Sequence, residues 1–153
     1  MSRSEDLNSE AYLKLLNAFA LELLQKSSLD DIFWLIADRA IAGIGFDDCV
    51  IYLIDRTTGE LVQAAAYGPK SPEGRLIIDP ITIPFGEGIV GSVAANLKPE
   101  RIRDTRTDAR YILDDEFRLS ELAVPIVLHG ECIGVIDSEN SKVDFYTEKH
   151  EEI

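Results

Sequence analysis

The chain has 153 residues, 46% of them apolar and 28% charged, which is one domain's worth and enough to bury a real core. Fifteen basic residues against 28 acidic ones leave a net charge of −13. That charge repels phosphate backbones and anionic lipid, and so argues against nucleic acid and direct membrane contact as partners.

The first 26 residues open on MSRSEDLNSE, which lacks the apolar core of a signal peptide, and no apolar run in the chain approaches the ~20 residues of a membrane span. A cytoplasmic location follows as the expectation. From Ser9 to Lys26, Tyr12, Leu16, Phe19 and Leu23 recur at helical spacing, joined by Leu13, Leu15, Ala20 and Leu24. This stripe is broader than one packing face needs. Ser28 then caps a second predicted helix over 29–44, with Asp31 three residues on; Ile32, Phe33, Leu35, Ile36, Ala40 and Ile41 are its apolar positions, and Gly43 and Gly45 end it.

From Asp48 the period changes to two. Cys49, Ile51 and Leu53 alternate with Val50, Tyr52 and Ile54, and both sets are apolar, as in a strand covered on both faces. Arg56 to Gly59 is a turn and Glu60 to Tyr67 the returning strand. A Gly/Pro loop follows to Arg75. Ile77 to Pro84 holds short extended pieces, and a helix runs from Ile89 to Asn96 until Pro99. Arg101 to Arg103 is a short strand, and Asp104 to Arg118 an ordered loop or short helix. Glu121 to Leu128 and Glu131 to Ser138 form a hairpin through His129-Gly130, where Pro125 calls for a bulge or an unpaired side. Thr147 caps a last helix, cut off at Ile153.

Gly86, Gly88 and Gly91 in "FGEGIVG" carry dinucleotide-turn spacing, G-x-G-x-x-G. A dinucleotide fold needs an apolar strand before them and a parallel one after the helix. Here the flanking runs are IDPITIPF and ERIRD, so no nicotinamide or flavin site is expected. Two readings stay open: the glycines permit close helix–sheet packing, or they let a ligand approach free N–H groups at the helix start.

The run "IPFGEGIVGSVAANLKPERIRDTRTDARY…SELAVPIVLHGECIGVIDSEN…FYTEKHEEI" resembles a GAF domain of bacterial signalling proteins, over nearly the whole chain. Its most specific parts are the Gly-x-Gly-Ile-x-Gly helix start, the "AVPI" strand and the "GVIDSEN" strand. The resemblance implies an α+β fold, a single domain over 1–153. Five or six antiparallel strands would carry helices on one face and a loop-roofed pocket on the other. It also implies a regulatory module placed ahead of an output domain such as a histidine kinase, within a signal-transduction protein, and most similar to sensor-kinase domains. A homodimer through residues 9–44 is the expected assembly.

Activities of this family carry over only where residues match. Asn140 and Phe145 match the cyclic-nucleotide signature, but Ser141 replaces its lysine and Lys149-His150 its acidic pair, so tight cyclic-nucleotide binding is not expected. Neither cysteine lies where a bilin would attach. Members that reduce free methionine sulfoxide need several cysteines around the pocket, and 86–121 has none. Cys49 and Cys132 read as buried free thiols, and no nucleophile-plus-base pair is visible.

The reading is therefore a non-enzymatic small-molecule sensor or signal relay, with a ligand-free dimerisation scaffold as the alternative and a small enzyme third. Which cofactor, if any, the chain uses is left unassigned by the residues. The expected pocket has Tyr52 and Ala123 on its floor, and Gly88, Ile89 and Ser92 on one wall beside Phe85. Its roof is the charged loop from Asp104 to Ser120. There Arg110, Tyr111, Phe117 and Arg118 supply stacking and anion-pairing groups, and Asp114, Asp115 and Glu116 supply acceptors. The arginines serve either a ligand or those neighbouring acids.

Overall fold

A computed structural model gives the fold and describes residues 9–18, 29–41, 45–72 and 75–151. The centre is a six-stranded, wholly antiparallel sheet with strands β1 (Cys49–Ile54), β2 (Leu61–Tyr67), β3 (Thr82–Ile83), β4 (Glu100–Ile102), β5 (Ser120–Leu128) and β6 (Glu131–Asn140). Its order is β3-β2-β1-β6-β5-β4. Every predicted strand is present. β3 shrinks to two residues because Pro80 and Pro84 bracket it and Pro cannot donate to a ladder.

Residues 9–18 are helical (α1), and Tyr12, Leu13 and Leu16 on them are exposed. The predicted continuation over 19–26 and the helix stop at Gly43 lie outside the described residues. The second helix (α2, Leu29–Leu35) passes into a π-helical stretch, Ile36–Ile41. Phe33, Trp34 and Ala37 bury one face of the sheet with Phe46, Cys49, Ile51, Ala65, Leu122 and Tyr146.

The opposite face carries α3 (Gly88–Asn96), whose Ile89, Val90, Val93 and Ala94 pack on Val50, Tyr52, Leu61, Ala66, Ala123 and Val135. Gly91 is small because a Cβ there would meet the carbonyl oxygen of Pro84 at 2.5 Å. Gly88 has φ +65, and a Cβ on it would meet Ile112 of the roof loop at 2.6 Å. The glycine motif thus brings α3 close to its two flanking segments, and no parallel strand follows it.

The β5–β6 turn puts His129 at φ 52 and Gly130 at φ 79, as a two-residue hairpin turn requires. Pro125 sits beyond Ala123, the last residue of β5 that β4 pairs with, so its missing N–H interrupts no ladder on that side. A register shift follows between Ile126 and Val127. The short final helix (α4, Glu148–Glu151) begins after Thr147, whose N–H donates to Nδ1 of His150. Phe46, Phe145, Tyr146 and His150 form an aromatic cluster there. No helix of the described residues is long and apolar enough to cross a membrane.

Candidate functional site

Alternation along β5 and β6 sends Leu122 and Ser138 to the α2 face and Glu121, Asp137 and Glu139 to the α3 face. Glu121 stands directly across from Glu139, and Asp137 lies one step along the same face between Val50 of β1 and Ala123 of β5. Three acids on one patch, each at most 7% exposed, repel one another and lose water together. Burial pushes Glu121 up to about 8 and Glu139 up to about 9, the latter helped by the neighbouring Asp137 charge. Burial and the Glu121 charge raise Asp137 well above the usual carboxylate range. At neutral pH this floor holds protons.

Among the described residues, two oxygens of the patch, Asp137 Oδ1 and Glu139 Oε1, are buried and meet no N–H or hydroxyl donor, while the Asp137 and Glu121 carboxyls lie close enough to share a proton. A native interior rarely leaves such groups unmet. They line a small cavity with Tyr52, Ile81, Ile83, Ile89, Val90, Ile112, Asp114 and Glu121. Its free interior is about 10 Å³, room for roughly one water.

The roof is a loop closed at its base. The Thr105 N–H donates to Leu119 O and the Thr105 hydroxyl to Arg118 O, while Asp104 caps the 3-10 turn Thr105–Thr107 by accepting from the Arg106 N–H. Tyr111 Oη accepts from the Arg118 N–H and lies beside Glu139, whose proton affinity it lowers. Asp114 reaches down into the cavity. Gln63 Nε2 donates to its Oδ2 at 2.7 Å and Lys70 Nζ pairs with its Oδ1 at 2.8 Å. Gln63 also donates to Tyr52 Oη at 3.0 Å, and its own Oε1 accepts from the Ile81 N–H.

Behind Glu139 lies Arg118, 5% exposed and bidentate on Asp115 at 2.6 and 2.9 Å, with Asp48 at 3.5 Å. Burial raises Asp48 to about 6 against the pull of the Glu139 N–H and Arg118. A more open crevice of about 180 Å³, bounded by Asp47, Asp48, Glu116, Arg118, Glu139 and Asn140, reaches the far side of Glu139.

Of the expected site residues, Tyr52 and Ile89 line the cavity, Tyr111 and Arg118 flank Glu139, and Ala123 is buried in the apolar core of the same face without lining the cavity. Gly88 touches the roof through Ile112. The others are placed elsewhere. Phe85 and Phe117 are exposed, the Ser92 hydroxyl donates to Gly88 O, and Asp104 binds Arg106. Arg110 is bidentate on Glu100 and also pairs with Asp108. Sequence reasoning missed Glu121, Asp137, Glu139, Gln63 and Lys70. The available signal was three acids at alternating positions inside two apolar strands.

A GAF domain family model matches residues 26–153. The chain belongs to the GAF domain family. Among curated relatives it is 33% identical over 95 residues to protein YtsP of Bacillus subtilis, covering 58% of each chain. It is 29% identical over 72 residues to the free methionine-R-sulfoxide reductase of Escherichia coli, covering 47% of this chain and 44% of that protein. The matches thus span about half the length of these relatives. A solved free methionine-R-sulfoxide reductase of Neisseria meningitidis, in complex with its substrate, superposes with a TM-score of 0.78 at 23% identity, covering 99% of this chain and 84% of that one.

These findings overturn the expectation that the chain is not an enzyme, since a relative and a solved structure of this GAF domain's fold are reductases. That expectation rested on the absence of cysteines over 86–121 and of an adjacent nucleophile–base pair in the sequence. Groups able to exchange protons are instead brought together across strands, where burial raises Glu121 to about 8 and Glu139 to about 9. The sensor-kinase context rests on resemblance alone.

Proposed function

We propose that this GAF domain binds a small molecule bearing a protonated amine between the sheet, α3 and the roof loop, as the ligand-sensing or relay unit of a signalling protein. The observation that carries the reading is the pair of unpartnered buried oxygens, Asp137 Oδ1 and Glu139 Oε1. A buried carboxyl is satisfied by a proton or by a cation. Of the buried cations nearby, Lys70 is held by Asp114, and Arg118 is held by Asp115 at 2.6 Å and stands 4.0 Å from the other oxygen of Glu139. An ammonium entering from outside meets the remaining acids, and Ile81, Ile83, Ile89 and Val90 receive a short apolar arm.

Free amino acids fit that description, and the reductase relative makes methionine sulfoxide the first ligand to test. A second reading, turnover of that ligand, is favoured by the same relative and by carboxyls that hold protons at neutral pH. Sulfoxide reduction takes two electrons and two protons from a pair of thiols and releases the oxygen as water. The decisive experiment is therefore calorimetry with methionine sulfoxide beside a dithiothreitol-driven assay for methionine. Binding that is lost in Asp137→Asn supports the site, and methionine production decides for turnover. Absence of binding by any primary amine overturns the reading.

The exposed Tyr12, Leu13 and Leu16 of α1 are proposed as part of a contact with a second copy. Light scattering that gives a monomer at high concentration would contradict this.

A further inference from the structure

A free interior of about 10 Å³ does not admit an amino acid, so some lining group must leave before one binds. Most of the lining belongs to the sheet, to α3 or to the stretch leading into β3. Ile112 and Asp114 do not: they hang from the roof loop, where Ile112, Leu113 and Phe117 are all exposed, and of the two only Asp114 is held down by polar contacts to other segments. Both of its oxygens are bound, one by Lys70 Nζ and the other by Gln63 Nε2. Those two donors stand on other segments. Gln63 is in β2, and Lys70 is anchored after β2 through its second hydrogen bond to Asp79 O at 2.8 Å. Together they form a two-point receptor for a carboxylate, buried to 4% side-chain exposure at Lys70.

We propose that Lys70 and Gln63 are a carboxylate subsite that Asp114 occupies in the ligand-free chain, and that the carboxylate of a bound amino acid takes its place and releases the roof loop. The proposal rests on the ammonium reading above and extends it to the other end of the ligand. Its energetic logic is an exchange. Pulling Asp114 away without replacement leaves a buried ammonium unpaired, which is strongly unfavourable. A ligand that brings its own carboxylate removes that penalty, whereas a simple amine does not. The loop therefore opens for a molecule with both charges, ammonium toward Glu121, Asp137 and Glu139, carboxylate toward Lys70 and Gln63.

The test uses three probes: methionine sulfoxide, its carboxamide (ammonium only) and its N-acetyl derivative (carboxylate only). Each is titrated by calorimetry against the wild-type chain and Asp114→Asn, an isosteric change that frees the receptor. Asp114→Asn is expected to tighten both carboxylate-bearing probes about tenfold, the scale of one charge-assisted contact, and to leave the carboxamide unchanged. In the wild type, methionine sulfoxide should speed amide hydrogen exchange of residues 112–117, and the carboxamide should not. This readout does not depend on the variant folding.

Unchanged or weaker binding of the carboxylate probes to a folded Asp114→Asn, or equal roof exchange with sulfoxide and carboxamide, overturns the subsite. If, in Asp114→Asn, the N-acetyl probe binds as tightly as methionine sulfoxide itself, the subsite stands and the ammonium reading fails. If no probe binds either protein, both are wrong.

Discussion

The two faces of the sheet use the same strands for opposite ends. On the α2 side, polar atoms are closed off. The Ser138 hydroxyl donates to Asp48 O and bonds Tyr146 Oη at 2.7 Å, among Phe33, Trp34, Phe46 and Ile51. On the α3 side, one residue away along β6, Asp137 and Glu139 keep unpartnered oxygens. A face built for folding alone has no reason to hold three adjacent carboxyls, since apolar residues of like size would be more stable there. The difference teaches that both faces carry an apolar core, and that the α3 face gives up stability locally, at its patch of carboxyls.

The strongest way to break this comparison is to damage each face and compare signs. Trp34→Ala, at a site 5% exposed, should cost about 3–5 kcal/mol and leave little folded protein, as measured by urea denaturation. Asp137→Asn should do the reverse. It removes the cost of protonating a carboxyl that is ionised in the unfolded chain, and should stabilise the ligand-free chain at pH 8 by about 1–3 kcal/mol while abolishing amine binding. A destabilised Asp137→Asn would mean that the acids hold the fold together.

A smaller effect sharpens the same point through pH. Asp48 at about 6, Glu121 at about 8 and Glu139 at about 9 hold protons in the fold more tightly than unfolded carboxyls, which titrate at about 4. Their contribution to stability is fully present below about pH 4 and is lost as pH rises through 6, 8 and 9. The thermal midpoint should therefore fall from pH 5 to pH 9, and fall less in Asp137→Asn. The smallest change belongs outside both faces. Arg110→Ala removes a part-exposed ion pair with Glu100 and Asp108 and should shift stability by about 1 kcal/mol at most, with ligand affinity unchanged.

Local chemistry made much of the fold legible. The change of period at Asp48, the Arg56 to Gly59 turn, and His129-Gly130 each specify a conformation from a few adjacent residues, and the hairpins follow. The floor of the site was not legible for a reason of the same kind. When both sets of alternating positions are buried, an acid in "SELAV" or "GVIDSEN" does not declare which face it joins or what it meets there. Glu121 meets Glu139 only through β5–β6 register, and Asp114 meets Lys70 across 44 residues of chain. The charged roof residues drew attention because they are dense in sequence, yet Arg110 and Asp104 are used up by near neighbours. Nothing in periodicity announces the π-helical form of Ile36–Ile41.

The central claim is that the acidic floor holds protons until a cation replaces them. Calorimetric titration of methionine sulfoxide at pH 7 in two buffers of different ionisation enthalpy measures that exchange. The account predicts proton release on binding by the wild type and a marked loss of both binding and release in Asp137→Asn. Binding with no proton release, or undiminished binding by Asp137→Asn, would contradict it.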